Sequence, residues 1–211
     1  MSLSLCITCY DLDFYLLNGL LEEFKKQTTA PDEIIISSSG INGQFLERYK
    51  NLQVHNKNVP IKITNQKERQ VQSVARNAGA SICESEYIMF FDVDDIPHPQ
   101  KIEFCKHYIN GYDFLLHNYQ TNNPKFETIK SLNIDIYHNF RINHHCANLI
   151  IDNDLPIHHA HITVKTEIVK TLKFNESSFY YRKEDGKFCQ DLVSNGYNGI
   201  FLNIPLISYV Q

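Results

Sequence analysis

Asp92-Val93-Asp94-Asp95 places three carboxylates within four residues. Carboxylates this close repel one another unless a cation or hydrogen bonds neutralise them. An oxygen-rich cluster suits Mg²⁺ or Mn²⁺, which take one or two carboxylates and fill their other positions with water and phosphate oxygens. Two further Asp-x-Asp triplets exist, Asp11-Leu12-Asp13 and Asp152-Asn153-Asp154. The first precedes a predicted helix and reads as capping. The second stands near Pro156 and reads as a turn. Only the cluster at 92–95 has a third carboxylate and follows the most apolar run of the chain.

Glu184-Asp185 opens a predicted helix. One reading is electrostatic: an acid in the first turn stabilises the helix dipole by about 0.3–1 kcal/mol. The other is catalytic: the helix terminus keeps the carboxylate ionised and aims it at a substrate hydroxyl as a general base. Arg76-Asn77 lies on the helix before the apolar run. The planar fork of Arg76 suits phosphate or a base edge, the alternative being a surface arginine. His158, His159 and His161 cluster before a strand, where His159 and His161 share a face. Their spacing matches no zinc pattern, and metal ligation and substrate contact both stay open. His144, His145 and Cys146 fall in an irregular stretch and read as structural. Cys6-Ile7-Thr8-Cys9 has redox spacing but lies within a strand, not at a helix N-terminus that would stabilise a thiolate, so it reads as core.

Hydrophobic periodicity supplies the elements that must carry these groups. Residues 3–9, 33–37, 60–64 and 86–92 read as strands. Phe14, Leu17, Leu20 and Phe24 recur at helical spacing, as do Phe45, Tyr49 and Leu52, and then Val71, Val74, Ala78 and Ile82. Strand and helix in alternation predict an α/β fold with a mostly parallel sheet flanked by helices. Ligands in such sheets bind at the carboxyl ends of the strands, which directs attention to 8–13, 37–40 and 92–95. The second half predicts a helix at 99–109, a strand at 112–118, and an irregular stretch from about 120 to 156 of the kind that forms functional loops. A strand at 162–165, helices at 166–172 and 184–195, and two short final strands follow.

With 211 residues the chain has room for a sizeable core. It reads as one unit, with a nucleotide half at 1–95 and an acceptor half at 96–211. Its 20 basic and 24 acidic residues give a net charge of −4, which argues against a nucleic-acid partner. No apolar run approaches the roughly 20 residues of a membrane-spanning helix. The first lysine is Lys25, so no basic leader is evident and a cytoplasmic location is expected. Six scattered cysteines are expected to be free thiols.

Taken in order, these motifs resemble an inverting, family 2 glycosyltransferase of the GT-A fold, over nearly the whole chain. Ile7-Thr8-Cys9-Tyr10 is similar to that family's first strand and nucleotide-binding turn. Ala75-Arg76-Asn77-Ala78-Gly79, Ser85-Glu86-Tyr87-Ile88 and Phe91-Asp92-Val93-Asp94-Asp95 resemble its most recognisable block. His161-Ile162-Thr163-Val164-Lys165 and Arg182-Lys183-Glu184-Asp185 resemble its acceptor-side strand and Glu-Asp motif. The resemblance implies that Thr8, Tyr10, Ser38, Arg76 and Asp92 contact the nucleotide and that Asp92 and Asp94 hold Mn²⁺ or Mg²⁺. It implies Asp185 as the base, with Asp95, His159, His161 and Glu184 facing sugar or acceptor. It also implies a GT-A, Rossmann-like architecture with a smaller acceptor-side part. The family usually has an acid after its second strand to accept from the base; here Ser37, Ser38 and Ser39 stand there, and a hydroxyl accepts less strongly. A UDP-sugar donor is favoured, with GDP- and dTDP-sugars open, and the acceptor is a glycan, a protein or a lipid-linked group. Two other readings stand beside this one. A nucleotidyltransferase also uses paired carboxylates, but residues 10–14 lack the Gly-rich, basic loop that holds a triphosphate. A catalytically silent sugar-binding or scaffold domain is the other.

Overall fold

Strict alternation along the first strands splits the apolar residues between two faces. In the computed structural model, Leu3, Leu5 and Ile7 of β1 (Leu3–Tyr10) pack with Ile34 and Ile36 of β2 (Glu33–Ser39) and with Met89 and Phe91 of β4 (Tyr87–Asp92). Leu17, Leu20, Leu21 and Phe24 of α1 (Phe14–Lys25) cover that face, and Phe24 meets Phe91 edge-on at 5.0 Å. The intervening residues Cys6, Ile35, Ile88 and Phe90 belong to a second core on the opposite face. The residues described are 1–10, 14–41, 44, 47–48, 59–131, 133–143, 148–151, 155, 157–177 and 183–210. The expected cap at Asp11 and Asp13, the helix through Phe45, Tyr49 and Leu52, the 152–154 turn and His144 to Cys146 lie outside them.

The remaining elements are β3 (Ile61–Gln66), α2 (Gln72–Ile82), β5 (Ile96–Pro97), α3 (Lys101–Tyr108), β6 (Phe114–Thr121), β7 (Ile136–Tyr137), β8 (Phe140–Asn143), β9 (Asn148–Ile151), β10 (Thr163–Lys165), α4 (Thr166–Leu172), α5 (Glu184–Ser194) and β11 (Gly199–Tyr209). The large sheet has the order β3-β2-β1-β4-β10-β6-β11-β5, with β7 added against β11. Strands β1 to β4 are mutually parallel, β10 runs antiparallel to both its neighbours, and β6 is parallel to β11. The sheet is thus mostly parallel and flanked by helices on both faces, as expected.

Two expectations change. Residues 120–156 are not wholly irregular, since β7 and the β8–β9 hairpin form there. Those strands are four residues or shorter and mostly half-exposed, so they leave little periodicity. The two final strands are one strand, β11, whose pairing with β6 shifts register on either side of Pro205. Proline has no N–H to give the ladder, which is why the pattern reads as broken.

Candidate functional site

From β1 the chain passes outward to β2 and β3, then returns to lay β4 on the other side of β1. The crevice at the carboxyl ends of β1 and β4 is therefore the switch point at which such sheets bind ligands. Thr8 and Asp92 are register partners there. Asp92 Oδ1 accepts from Thr8 Oγ1 at 3.2 Å, from Gln72 Nε2 at 2.6 Å and from Arg76 Nη2 at 3.2 Å. Gln72 and Arg76 are one helical turn apart on α2, so their side chains point the same way.

Arg76 is 1% exposed, which overturns the surface reading. Its other terminal nitrogen donates to Glu184 Oε1 at 2.9 Å. Burial disfavours the guanidinium charge, but Asp92, Asp185 and Glu184 outweigh it and raise its pKa. One buried arginine thereby joins the end of β4 to the start of α5. Glu184 is itself buried and turned toward Arg76. Asp185 is half-buried in the first turn of α5, where its Oδ1 accepts the Gly186 N–H at 2.7 Å. Its charge acts on Arg76, Asp92, His158 and His159, so it stands in their neighbourhood.

Burial pushes Asp92 up to about 7, Arg76 opposing and the neighbouring carboxylates adding to the rise. Asp94 is exposed at the tip of the same turn. A half-buried carboxylate with a raised pKa beside an exposed one is a donor set of hard oxygens, and it fits Mg²⁺ or Mn²⁺ sharing its shell with a diphosphate.

Other expected residues have contacts of their own. Ser37, Ser38 and Ser39 are fully buried, and their hydroxyls bond within the protein: to Ala75 O, to Thr64 O and Asn65 Oδ1, and from the Gln70 N–H. Tyr10 is half-buried at the end of β1, with the Arg69 guanidinium over its ring at 5.0 Å. His159 accepts the Leu149 N–H at 3.1 Å and anchors β9. Asp95 is 3% exposed; its Oδ1 accepts the Val210 N–H at 3.1 Å and its Oδ2 faces His161. Burial pushes Asp95 up to about 7. Asn77 exchanges two hydrogen bonds of 2.9 Å with the Phe174 backbone and so pins the chain that leads toward α5. Sequence reasoning missed Gln72 and Arg69; helical spacing from Arg76 was the one signal for Gln72.

The model of glycosyl transferase family 2 matches residues 4–172. The chain belongs to that family. No curated protein sequence matches it significantly. Among solved structures it is similar to S. aureus TarS 1–349 in complex with UDP (16% identity, TM-score 0.72), covering 100% of this chain and 61% of that one. It is also similar to the mannosyltransferase PcManGT from Pyrobaculum calidifontis in complex with GDP-Man and Mn²⁺, at 11% identity and TM-score 0.67, over 99% of this chain and 56% of that one. The chain thus spans roughly three-fifths of the length of these neighbours, and the likeness establishes the GT-A fold. Among the described residues no helix is long and apolar enough to cross a membrane.

Proposed function

We propose that this glycosyltransferase domain moves a sugar from a nucleoside-diphosphate donor to an acceptor hydroxyl with inversion at the anomeric carbon. The observation that carries the reading is the chain Asp92–Arg76–Glu184, which holds the donor-side turn and the first turn of α5 in one crevice. Thr8, Tyr10 and Arg76 line its nucleotide side. Asp92 and Asp94 would hold a divalent ion, which when bound neutralises charge on the departing diphosphate. Asp185 takes the proton of the attacking hydroxyl, and single displacement from the opposite face inverts the centre.

The solved neighbours include complexes with UDP, with UDP-GlcNAc and with GDP-Man and Mn²⁺, which supports a nucleotide-sugar donor. A UDP-sugar is the first donor to try. Because the Ser38 hydroxyl is spent on β3, base recognition falls to the Tyr10–Arg69 pair and to backbone groups. Calorimetric titration with UDP, with and without Mn²⁺, tests the reading. The wild type should bind at least about tenfold more tightly with Mn²⁺, and Asp94→Ala should lose that gain, since each ligand is a large share of a two-carboxylate site. Equal affinity with Mn²⁺ and with chelator would contradict it.

A further inference from the structure

At the end of the Asp92–Asp94 turn, Asp95, His158 and His161 converge. Asp95 Oδ2 lies 2.9 Å from His161 Nε2 and 3.9 Å from His158 Nε2. One ligand-type atom from each residue lies within 4.8 Å of the others. The side chains of His161, Asp95 and His158 are 0%, 1% and 11% exposed.

Of the two Asp95 oxygens, Oδ1 alone has a hydrogen-bond partner among the described residues. His161 Nε2 accepts the Asp92 N–H only at 3.4 Å, a long bond that an ion at the same lone pair would replace. Asp95 Oδ2 is buried and has no hydrogen-bond partner among the described residues, despite its closeness to Nε2. A buried carboxyl oxygen so placed is costly unless a donor or a cation supplies its partner. Lys101, whose charge acts on Asp95, turns its ammonium to His117 Nε2, and burial brings it down to about 8. Donors at 2.0–2.1 Å from one ion stand about 2.8–3.4 Å apart, so the 2.9 Å pair fits and His158 needs only a small inward shift.

We propose that Asp95, His158 and His161 form a second metal site, for a first-row transition dication such as Zn²⁺. Two imidazoles and one carboxylate are its ligand set, whereas Mg²⁺ takes oxygens alone. The fourth position is left to water, with the Tyr119 and Tyr209 rings 5.4 and 5.3 Å from His158 forming the outer wall. The ion is structural: it fastens the turn after β4 to the segment entering β10 and so fixes the turn that carries Asp92 and Asp94. This inference does not depend on the transferase reading.

The test uses the full chain, stripped with chelator and free of nucleotide. Zn²⁺ is titrated calorimetrically and Co²⁺ by visible absorption, in the wild type, Asp94→Ala, His158→Ala and Asp95→Asn. One equivalent should bind to the wild type and to Asp94→Ala alike, with Co²⁺ d–d bands and no thiolate charge-transfer band. His158→Ala, at the rim, should retain its circular dichroism and bind at least about tenfold more weakly, as should Asp95→Asn. No binding by the folded wild type would overturn the proposal. So would unchanged affinity in His158→Ala, loss only in Asp94→Ala, or a cobalt–thiolate spectrum.

Discussion

Arg76 is the residue on which most of the site's charge balance rests. Fully buried, it faces Asp92 with one nitrogen and Glu184 with the other. Removing one partner of a buried ion pair leaves the remaining charge uncompensated, at about 3–5 kcal/mol. Arg76→Ala should therefore lower unfolding free energy in urea by about that amount, and a loss under about 1 kcal/mol would contradict the role given to the pair. Arg76→Lys should recover only part of it, because a point charge does not span two carboxylates as a fork does. Much at this scale was legible: an arginine on the helix before the strand, an Asp-x-Asp-Asp turn, and an acid pair at a helix start. Asp95 was not, because sequence proximity to Asp94 says nothing about which way a side chain turns. Asp95 is instead turned inward by its contacts with the Val210 N–H and His161.

At the scale of elements, the site exists because α2 lies close enough to β1 for Gln72 and Arg76 to reach Asp92. Gly79 sets that distance: a Cβ there would sit 2.4 Å from Cys6 Sγ. Gly79→Ala should cost about 1–3 kcal/mol of stability through overpacking, and an unchanged melting temperature would show that α2 has room to move. The opposite ends of the strands are tied by Glu33. Its carboxylate accepts from Ser4 Oγ and the Glu84 N–H and pairs with Lys62 at 2.8 Å. Burial raises its pKa, but those donors outweigh burial and bring it from 4.5 to about 2. A depressed carboxylate contributes stability that is full above its unfolded value and is lost as pH falls through the folded one. Melting temperature should thus fall more steeply between pH 4.5 and 2 in the wild type than in Glu33→Gln, and parallel curves would contradict the assignment. The parallel strands were legible because they are buried on both faces and read as unbroken apolar runs. The β8–β9 hairpin was not, since its half-exposed strands carry too little contrast.

For the molecule as a whole, two apolar cores share β1, β2 and β4 between them, residue by alternate residue. Neither can be lost without exposing the other, so unfolding should be a single transition. Far-ultraviolet circular dichroism and the fluorescence of the 12 tyrosines should give coincident curves, and separate midpoints would mean that the two faces melt independently. Residues as distant in sequence as Thr8, Asp92 and Glu184 are linked because the topology brings the start of α5 back to Arg76. Sequence periodicity predicts the elements, but only the return of α5 onto Arg76 reveals that they enclose one crevice. The claim at the centre of this account is that Asp185 removes the proton of the attacking group there. Release of UDP from a bound UDP-sugar, with Mn²⁺ and water as the acceptor, measures that step in wild type and Asp185→Asn. The account predicts a rate lower by about 10²–10⁴-fold in the variant with donor affinity nearly unchanged. Unchanged release in Asp185→Asn, or a loss of rate matched by an equal loss of binding, would contradict it.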